Sequence, residues 1–523
     1  MRGYADADAL AGELDTASPA STRLGRACLL SISAILGWCG WSADVSTAFL
    51  QGLPQERRLW VKLPADALSI LGGDADTRMF LHKPVYGQLD APKRWFLEAT
   101  RRLRHLQWTP HPMDPWFWLL YEPAEADGSA TKLCGLLCLH VDDMLGCGDT
   151  KSETYLNAER QLKESFNFRT WQKDEPFEYC GAKMTRDSDG TWHVSHDEYL
   201  RKVQPIPVER GRQSHEPMSD KEQTMLRGLF GSLQWPAIQS SPHIQASTSL
   251  LSGEMSTGLS APLLEANKLV KFSKANGDVH LKFNPLGDLK DLRLSCMFDA
   301  ALGARHDGST QIGCIVLLTY KDAFRGVECP YHALEWKSFR LPRVARSSLA
   351  AEVQSAAQAV DATEFVVRFW HLIFNPHDSI KETLSVKNPT LAPIFVTDAK
   401  ALFDSFHRDA INHGATDKRT NLELRVIPEQ VECIGETLKW ISSERQFGDG
   451  LTKMSARQLL ADRLRHGSIK YTWDSTYQAS KKKTAQERAE SRNQQKSVFE
   501  TTQQHQLTTP HNHNSCSESW SRE

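Results

Sequence analysis

Apolar residues along this chain recur with two different periods, and the switches between them mark its elements. From Thr22 to Trp38 the positions Leu24, Ala27, Cys28, Leu30, Ile32, Ile35 and Leu36 predict a mostly buried helix, ended by Gly37 and Gly40. Trp41 to Gly52 predicts a strand ending at Asp44 and a turn into a short helix. Short strands are expected at Leu59–Pro64 and Met79–Lys83, with a polar loop between them. A helix then opens with Asp90 as N-cap and Pro92 in its first turn. It sends Trp95, Phe96, Leu103 and Leu106 inward and leaves Lys93, Arg94, Arg101, Arg102 and Arg104 exposed. After a strand at Asp114–Tyr121, two apolar runs between Leu133 and Gly148 read as a hairpin closed by Gly146 and Gly148, with Asp142 and Asp143 at its tip.

An amphipathic helix is expected over 151–166, and paired strands at Phe177–Met184 and Thr191–Val194 across an Asp187–Gly190 turn. A polar, proline-bearing stretch at 205–223 precedes helices at Met225–Ile238 and Leu263–Ala275 and a strand at Val279–Phe283. The second half changes rhythm. Strands at Leu292–Phe298 (ending at Asp299), Ile312–Tyr320 and Leu334–Lys337 come before a long helix, Ser347–Phe374. A buried strand from Pro393 ends on Asp398, helices follow at Ala399–Phe406 and Thr420–Gln430, and a strand at Glu436–Ile441. Phe447–Lys453 leads into a last helix. From about 477 the chain is too polar to bury a core and is expected to be disordered. His511 and His513 there have only low-complexity company, which argues against a metal site.

Composition adds bounds. A chain of 523 residues has room for two to four domains, and 40% apolar with 24% charged residues is ordinary for globular ones. The net charge of −2 neither supports nor excludes a nucleic-acid partner. Eleven scattered cysteines without a paired framework suit reduced thiols in the cytoplasm or nucleus. With no apolar run near the roughly 20 residues of a membrane helix, and no signal-peptide form at the start, a soluble intracellular protein without membrane partners is expected.

The adjacent anions Asp142 and Asp143 are costly between buried strands unless a cation neutralises them, and hard divalent ions take carboxylate oxygens. The alternative is a solvated acidic turn. Asp44, at a strand end, offers a third carboxylate on the same sheet, a set that two-metal phosphoryl transfer requires. Asp299, Glu352, Asp398 and Asp449 form a second ordered set, at strand ends, in a helix's first turns and before a final helix. Four such acids would chelate two ions for phosphodiester hydrolysis. Any one of the seven is as readily a cap or a surface residue; the ordered set carries the information. The basic helix face is either simply solvated or a phosphate contact beside a cleft.

Residues of about 22 to 475 resemble the reverse transcriptase and ribonuclease H portions of a copia-type long-terminal-repeat retrotransposon polyprotein. The motifs are Asp-Val-Ser-Thr-Ala-Phe-Leu-Gln-Gly (44–52), Val-Tyr-Gly-Gln-Leu-Asp-Ala-Pro-Lys-Arg-Trp (85–95), Asp-Pro-Trp-Phe-Trp (114–118), Leu-His-Val-Asp-Asp-Met-Leu (139–145) and Gly-Leu-Phe-Gly-Ser-Leu-Gln-Trp (228–235). Glu-Trp-Lys-Ser (335–338), Ala-Ala-Glu (350–352), Val-Thr-Asp (396–398) and Asp-Gly-Leu-Thr-Lys (449–453) resemble the ribonuclease H half. The resemblance implies a multidomain α/β and α+β fold. A palm, an antiparallel sheet with helices, and thumb-like helices would precede a ribonuclease H-like mixed α/β domain. The corresponding boundaries are 1–21 (outside the family pattern), 22–204 (partial fingers and palm), 205–285 (linker and thumb or connection helices), 286–475 (ribonuclease H-like) and 476–523 (tail). It implies Asp44, Asp142 and Asp143 as polymerase metal ligands, and Asp299, Glu352, Asp398 and Asp449 as the quartet that cleaves RNA in a hybrid. Phe49 matches the aromatic position under the incoming sugar, which selects deoxynucleotides. Mg²⁺, or Mn²⁺, is the implied cofactor; an RNA template, a DNA primer, an RNA–DNA hybrid and deoxynucleoside triphosphates are the implied partners.

Two positions depart from the family pattern. His140 stands where the family has Tyr, near the primer end. Asp90 stands where it has Gln, near the incoming nucleotide, with Arg94 as the compensating cation. Residues 1–21 offer only Arg2 toward the triphosphate-gripping fingers, so an N-terminally truncated element with weak polymerase activity is expected, with ribonuclease H the more self-contained activity. The competing expectation is a catalytically degenerate remnant that only binds nucleic acid. The sequence leaves the oligomeric state open.

Overall fold

The hairpin around Asp142 and Asp143 lies at the centre of a six-stranded antiparallel sheet. In the computed structural model, residues 6–12, 14–74, 76–123, 132–173, 176–386, 391–407, 417–435 and 437–473 are described. The chain divides into units Met1–Trp473 and Asp474–Glu523. The tail expected from 476, with His511 and His513, lies outside the described residues, as do 124–131 before the hairpin.

The strands of the first half are β1 (Cys39–Val45), β2 (Trp60–Lys62), β3 (Arg78–Phe80), β4 (Thr109–His111), β5 (Asp114–Tyr121), β6 (Leu133–His140), β7 (Asp143–Gly148) and β8 (Phe168–Lys173). Their order in the sheet is β4-β5-β6-β7-β1-β8, with β2 and β3 forming a separate ribbon. The continuous apolar runs arise because helices cover both faces. Phe117, Leu119, Leu136, Cys138, Leu145 and Cys147 pack with the helix Arg23–Leu36 in one core cluster. The alternate residues Trp41, Ala43, Trp118, Leu137, Leu139 and Met144 pack with helices Ala91–His105 and Glu153–Ser165 in another. Asp114 is a structural pin, accepting from the Thr22 backbone N–H at 3.0 Å and the Thr22 hydroxyl at 2.7 Å.

Gly148 ends β7 as the sequence suggests, whereas Gly146 lies inside the strand. A Cβ on Gly146 would sit 2.3 Å from the Trp41 indole, and one on Gly148 2.2 Å from the Tyr155 ring. These glycines exist to admit two aromatic rings against the strand. Gly146→Ala should therefore lower the urea midpoint of unfolding, by about 1–3 kcal/mol in stability, the usual cost of overpacking.

Strands β9 (Phe177–Tyr179), β10 (Ala182–Arg186), β11 (Trp192–Ser195) and β12 (Leu281–Phe283) form a second sheet, ordered β12-β11-β10-β9. The helix Asp220–Gln239 starts at a capping box of Ser219 and Glu222. It packs with the helix Gln245–Gly253, which lies in the expected helical region without being singled out, and with Ala261–Ala275.

The third sheet joins β13 (Leu292–Ala301), β14 (Gln311–Tyr320), β15 (Cys329–Arg340), β16 (Pro393–Thr397), β17 (Thr437–Trp440) and β18 (Ser468–Ile469). Its order is β17-β16-β13-β14-β15-β18. Strands β13 to β15 are antiparallel, whereas β13–β16 and β16–β17 are parallel. The helix Ser348–Phe374 packs on this sheet, burying residues such as Val353, Ala359, Val366 and Phe369. The fold is thus mixed α/β, with antiparallel sheets and helices. One core cluster runs from the helix Arg23–Leu36 through β9–β12 to β13–β15. The buried His332 imidazole of β15 bonds the Ser31 hydroxyl at 3.0 Å and the Asn284 carbonyl at 2.9 Å, and burial pushes it down to about 3.

Candidate active sites

The register of the first sheet sets Asp44 of β1 directly opposite Asp143 of β7. A two-residue turn, Val141–Asp142, links His140 to its partner Asp143. Val141 has φ of 57°, a costly conformation for a β-branched residue. Its carbonyl accepts from the Trp95 indole at 2.5 Å, and the Asp142 carbonyl accepts from the Val45 N–H at 2.8 Å. Thr47 and Cys180 also have positive φ. Thr47 follows β1, and the Cys180 backbone N–H bonds the Asp143 carboxylate. So three of the four non-glycine residues with positive φ among those described surround these acids, where strain held by surrounding structure is a mark of function.

Burial, with Asp142 and Asp44 adding repulsion, pushes Asp143 up to about 6. Asp142 is raised as well, by burial first and then by Asp44. Asp44 is paired with Arg169 of β8 at 2.8 Å. Neither β8 nor Arg169 is anticipated by the sequence pattern, since Phe-Arg-Thr-Trp-Gln-Lys is half polar. Its register follows from Trp171 stacking on Trp41, ring centres 4.1 Å apart.

Phe49, on the short helix Ala48–Gln51, packs against Tyr86 with ring centres 4.6 Å apart. The Tyr86 hydroxyl is raised by burial and then by Asp142 and Asp44, so this residue faces the acids too. It stands in the quoted 85–95 motif, the one signal that could have singled it out. His140 is held below the ordinary histidine range by burial and by Arg26, and is neutral at pH 7.

Asp90 corrects its sequence reading. It occupies the N-cap position, yet its side chain makes no capping bond. Instead it is buried and paired with Arg94 at 3.2 Å and Arg57 at 3.4 Å. Arg94, expected to be exposed, is largely covered by this pair and by its bond to the Pro54 carbonyl at 2.7 Å. Lys93 is also partly covered, paired with Asp15. Arg101 and Arg102 both bond Glu98, which they pull down to about 2. Most of the basic face is therefore neutralised within the protein.

The second set converges further. Met297 of β13 lies beside Val396 of β16 in parallel register, so Asp299 and Asp398, two residues on in each chain, share one face. Asp449 comes from the tight turn Gly448–Leu451, which lies on β14, where a Cβ on Gly313 would meet Leu451 at 2.6 Å. One carboxylate oxygen from each of Asp299, Asp398 and Asp449 falls within 4.8 Å of the others. Among the described residues this is the one such group; Asp44, Asp142 and Asp143 do not close to that span.

Glu352, in the second turn of the helix Ser348–Phe374, points a buried Oε2 with no hydrogen-bond partner among the described residues. Burial, then Asp299 and Asp398, push it up to about 9. Helix and strand are tied by the Ser355 hydroxyl, which donates to the Asp299 carbonyl at 2.8 Å. Thr452 donates to the Asp299 carboxylate, and Lys453 Nζ lies 2.5 Å from Asp449 Oδ1 and 3.5 Å from Asp299 Oδ2. Burial pushes Asp299 up to about 6 against the pull of Lys453 and Thr452. Three convergent carboxylates and an orphaned carboxyl oxygen are a hard-oxygen donor set that fits a divalent cation.

The raised value of Asp299 has a stability consequence. A carboxyl ordinarily at 3.8 and folded at about 6 contributes stability that is complete below 3.8 and lost as pH rises through 6. At pH 8 without metal the fold carries an ionised, poorly solvated Asp299. Asp299→Asn should therefore stabilise the metal-free protein at pH 8 by about 1 kcal/mol once the altered Lys453 and Thr452 contacts are discounted, seen as a higher Tm. At pH 4 thermal melts of the two proteins should coincide.

Residues 2–207 match the family described as reverse transcriptase (RNA-dependent DNA polymerase). The sheet that carries Asp44, Asp142 and Asp143 lies within the residues matched by that family. Among solved structures, the chain is similar to a foamy viral protease-reverse transcriptase in complex with an RNA/DNA hybrid. That likeness has 10% identity and a TM-score of 0.40, over 82% of this chain and 46% of the other. The chain therefore spans about half the length of that protein. It is also similar to the N-terminal RNase H domain of a Mycobacterium tuberculosis protein, solved as a fusion with maltose-binding protein. There the identity is 14% and the TM-score 0.20, over 32% of this chain and 99% of the other. No curated protein sequence matches the chain. No helix among the described residues is long and apolar enough to cross a membrane.

Proposed function

We propose that this chain is the reverse transcriptase and ribonuclease H portion of a copia-type retrotransposon polyprotein. Residues 22–204 carry RNA-directed DNA synthesis at Asp44, Asp142 and Asp143. Residues 286–475 carry hydrolysis of the RNA strand of an RNA–DNA hybrid at Asp299, Glu352, Asp398 and Asp449. The helices between them serve as thumb or connection. The observation that carries the reading is the closure of Asp299, Asp398 and Asp449 to within 4.8 Å, from positions 150 residues apart, inside a chain whose N-terminal part matches the reverse transcriptase family.

The second acid set suits Mg²⁺, or Mn²⁺, and the first offers three carboxylates of the same hard-oxygen chemistry; the ion, when bound, would supply neutralisation of phosphate oxygens and activation of the attacking hydroxyl or water. The remaining work belongs to the chain. Asp299 and Asp398 furnish oxygen ligands from the ends of paired strands and Asp449 from the turn Gly448–Leu451, and Thr452 fixes the rotamer of Asp299. Glu352 holds its proton in the metal-free protein at neutral pH and offers a fourth carboxyl beside them. At the first set, Asp143 and Asp44 face one another across two strands while the Trp95 bond holds the turn that carries Asp142. Phe49, backed by Tyr86, supplies an aromatic wall against which a 2′-hydroxyl would clash. His140 offers a neutral imidazole to the primer end, and the Asp90–Arg94 pair supports the helix behind it. Template, primer and deoxynucleoside triphosphates are the substrates on this reading, in a reducing compartment, cytoplasm or nucleus, where the free thiols persist.

Two assays on the full chain test it: extension of a DNA primer on an RNA template, and cleavage of a labelled RNA–DNA hybrid, each with Mg²⁺ or Mn²⁺. Both products are expected. Binding of the hybrid without either product would leave only a degenerate nucleic-acid-binding scaffold.

A further inference from the structure

We propose that Lys453 is a resident counter-ion of the second acid cluster: in the metal-free protein its ammonium occupies the space between Asp449 and Asp299, and metal loading requires its departure. The inference rests on the reading of that cluster as a metal site and names a device that regulates it.

The geometry is specific. The Lys453 backbone N–H donates to the Asp449 carbonyl at 2.9 Å, closing a turn that folds the side chain back over its own loop. Its Nζ then sits 2.5 Å from Asp449 Oδ1 and 3.5 Å from Asp299 Oδ2, joining two of the three acids whose oxygens converge. One positive charge so placed screens carboxylates that would otherwise repel one another in a buried setting. The same charge competes with any cation that seeks those oxygens.

The side chain is also able to leave. It is 42% exposed, whereas that of Asp299 is 3% exposed. A lysine ammonium is a point charge on a flexible four-carbon stem and is readily rehydrated, unlike a guanidinium clamped on two oxygens. Thr452, next in the chain, keeps its own bond to Asp299, so the acid stays oriented when the lysine swings out. The result is a two-state contact, paired without metal and released with it. The apparent metal affinity falls by the fraction of molecules in which the pair is open. If about one molecule in ten is open, removal of the charge should tighten metal binding about tenfold.

The test uses the full chain without nucleic acid. Mg²⁺ and Mn²⁺ are titrated by calorimetry into wild type, Lys453→Met and Lys453→Arg, and thermal melts are recorded in EDTA and in saturating metal. Lys453→Met should bind either ion about tenfold more tightly and melt lower than wild type in EDTA. Lys453→Arg should bind no more tightly than wild type. In the wild-type protein, acylation of Lys453 by an amine-reactive reagent, followed by peptide mass spectrometry, should quicken when Mg²⁺ is added. That readout stands even if the Met variant does not fold. Unchanged or weakened metal binding in Lys453→Met, or acylation indifferent to Mg²⁺, overturns the role of Lys453 while leaving the metal site intact. Failure of both wild type and Lys453→Met to bind either ion overturns the metal reading and the counter-ion together.

Discussion

Replacing Asp398 by asparagine should reduce cleavage of the RNA strand of an RNA–DNA hybrid by about 100-fold or more, since even outer-shell partners of a catalytic metal are worth about 10–100-fold. The substitution keeps the shape of the side chain and removes one of three converging carboxylates. Trp440 donates to the Asp398 main-chain carbonyl at 2.9 Å, a bond that asparagine retains, so the fold should be unaffected. Melting curves that overlay, alongside lost cleavage, would assign the effect to chemistry. Primer extension by the same variant should be unchanged, because Asp398 belongs to the third sheet and the polymerase acids to the first.

The second large effect is the converse. Asp143→Asn should lower primer extension on an RNA template by about 100-fold while hybrid cleavage continues. Asp143 faces Asp44 across the β1–β7 pair and shares the hairpin tip with Asp142, so one neutralised member leaves an incomplete ligand set. The raised value of Asp143 adds a pH signature. A metal ligand must shed its proton first, so extension by the wild-type protein should fall as pH drops through about 6, well above the ordinary carboxylate range. The fall should be steepest at sub-saturating Mg²⁺, where proton and metal compete for the carboxylate; a rate flat from pH 7.5 to pH 5 under that condition would contradict Asp143 as a ligand.

Much of this architecture is legible in the sequence where burial is strong. The hairpin of β6 and β7 is read correctly because both faces of its sheet are covered, which leaves apolar runs with little room for another assignment. The long helix Ser348–Phe374 and the strands ending near Asp299 and Asp398 are visible for the same reason. What fails is whatever depends on a distant partner. Strand β8 is an edge strand with Arg169, Thr170 and Gln172 exposed and no clean alternation, and it forms because Trp171 finds Trp41 far away in sequence. Arg169, and with it the ion pair on Asp44, is hidden accordingly. Asp90 looks like a cap by position, but two guanidinium groups outcompete the helix N-terminus for its carboxylate. Gly146 looks like a stop and is instead a seat for the Trp41 ring, while Gly148 both ends the strand and seats Tyr155.

The acid sets divide along the same line. Their order in the chain is a sequence property, and the resemblance supplies their roles. Their closure is a property of register: the parallel pairing of β13 with β16 brings Asp299 beside Asp398, and the close approach of Leu451 to Gly313 brings in Asp449. Lys453 stands in a motif legible from the start, yet its place between two carboxylates appears only once that loop is folded.

The most direct measurement is cleavage of a hybrid with end-labelled RNA by the full chain, run with Mg²⁺ and with EDTA, for wild type, Asp398→Asn and Asp143→Asn. Metal-dependent RNA fragments are expected from wild type and from Asp143→Asn, and intact RNA from Asp398→Asn. Intact RNA with the wild-type protein, or fragments from Asp398→Asn at the wild-type rate, would contradict the proposed ribonuclease H site.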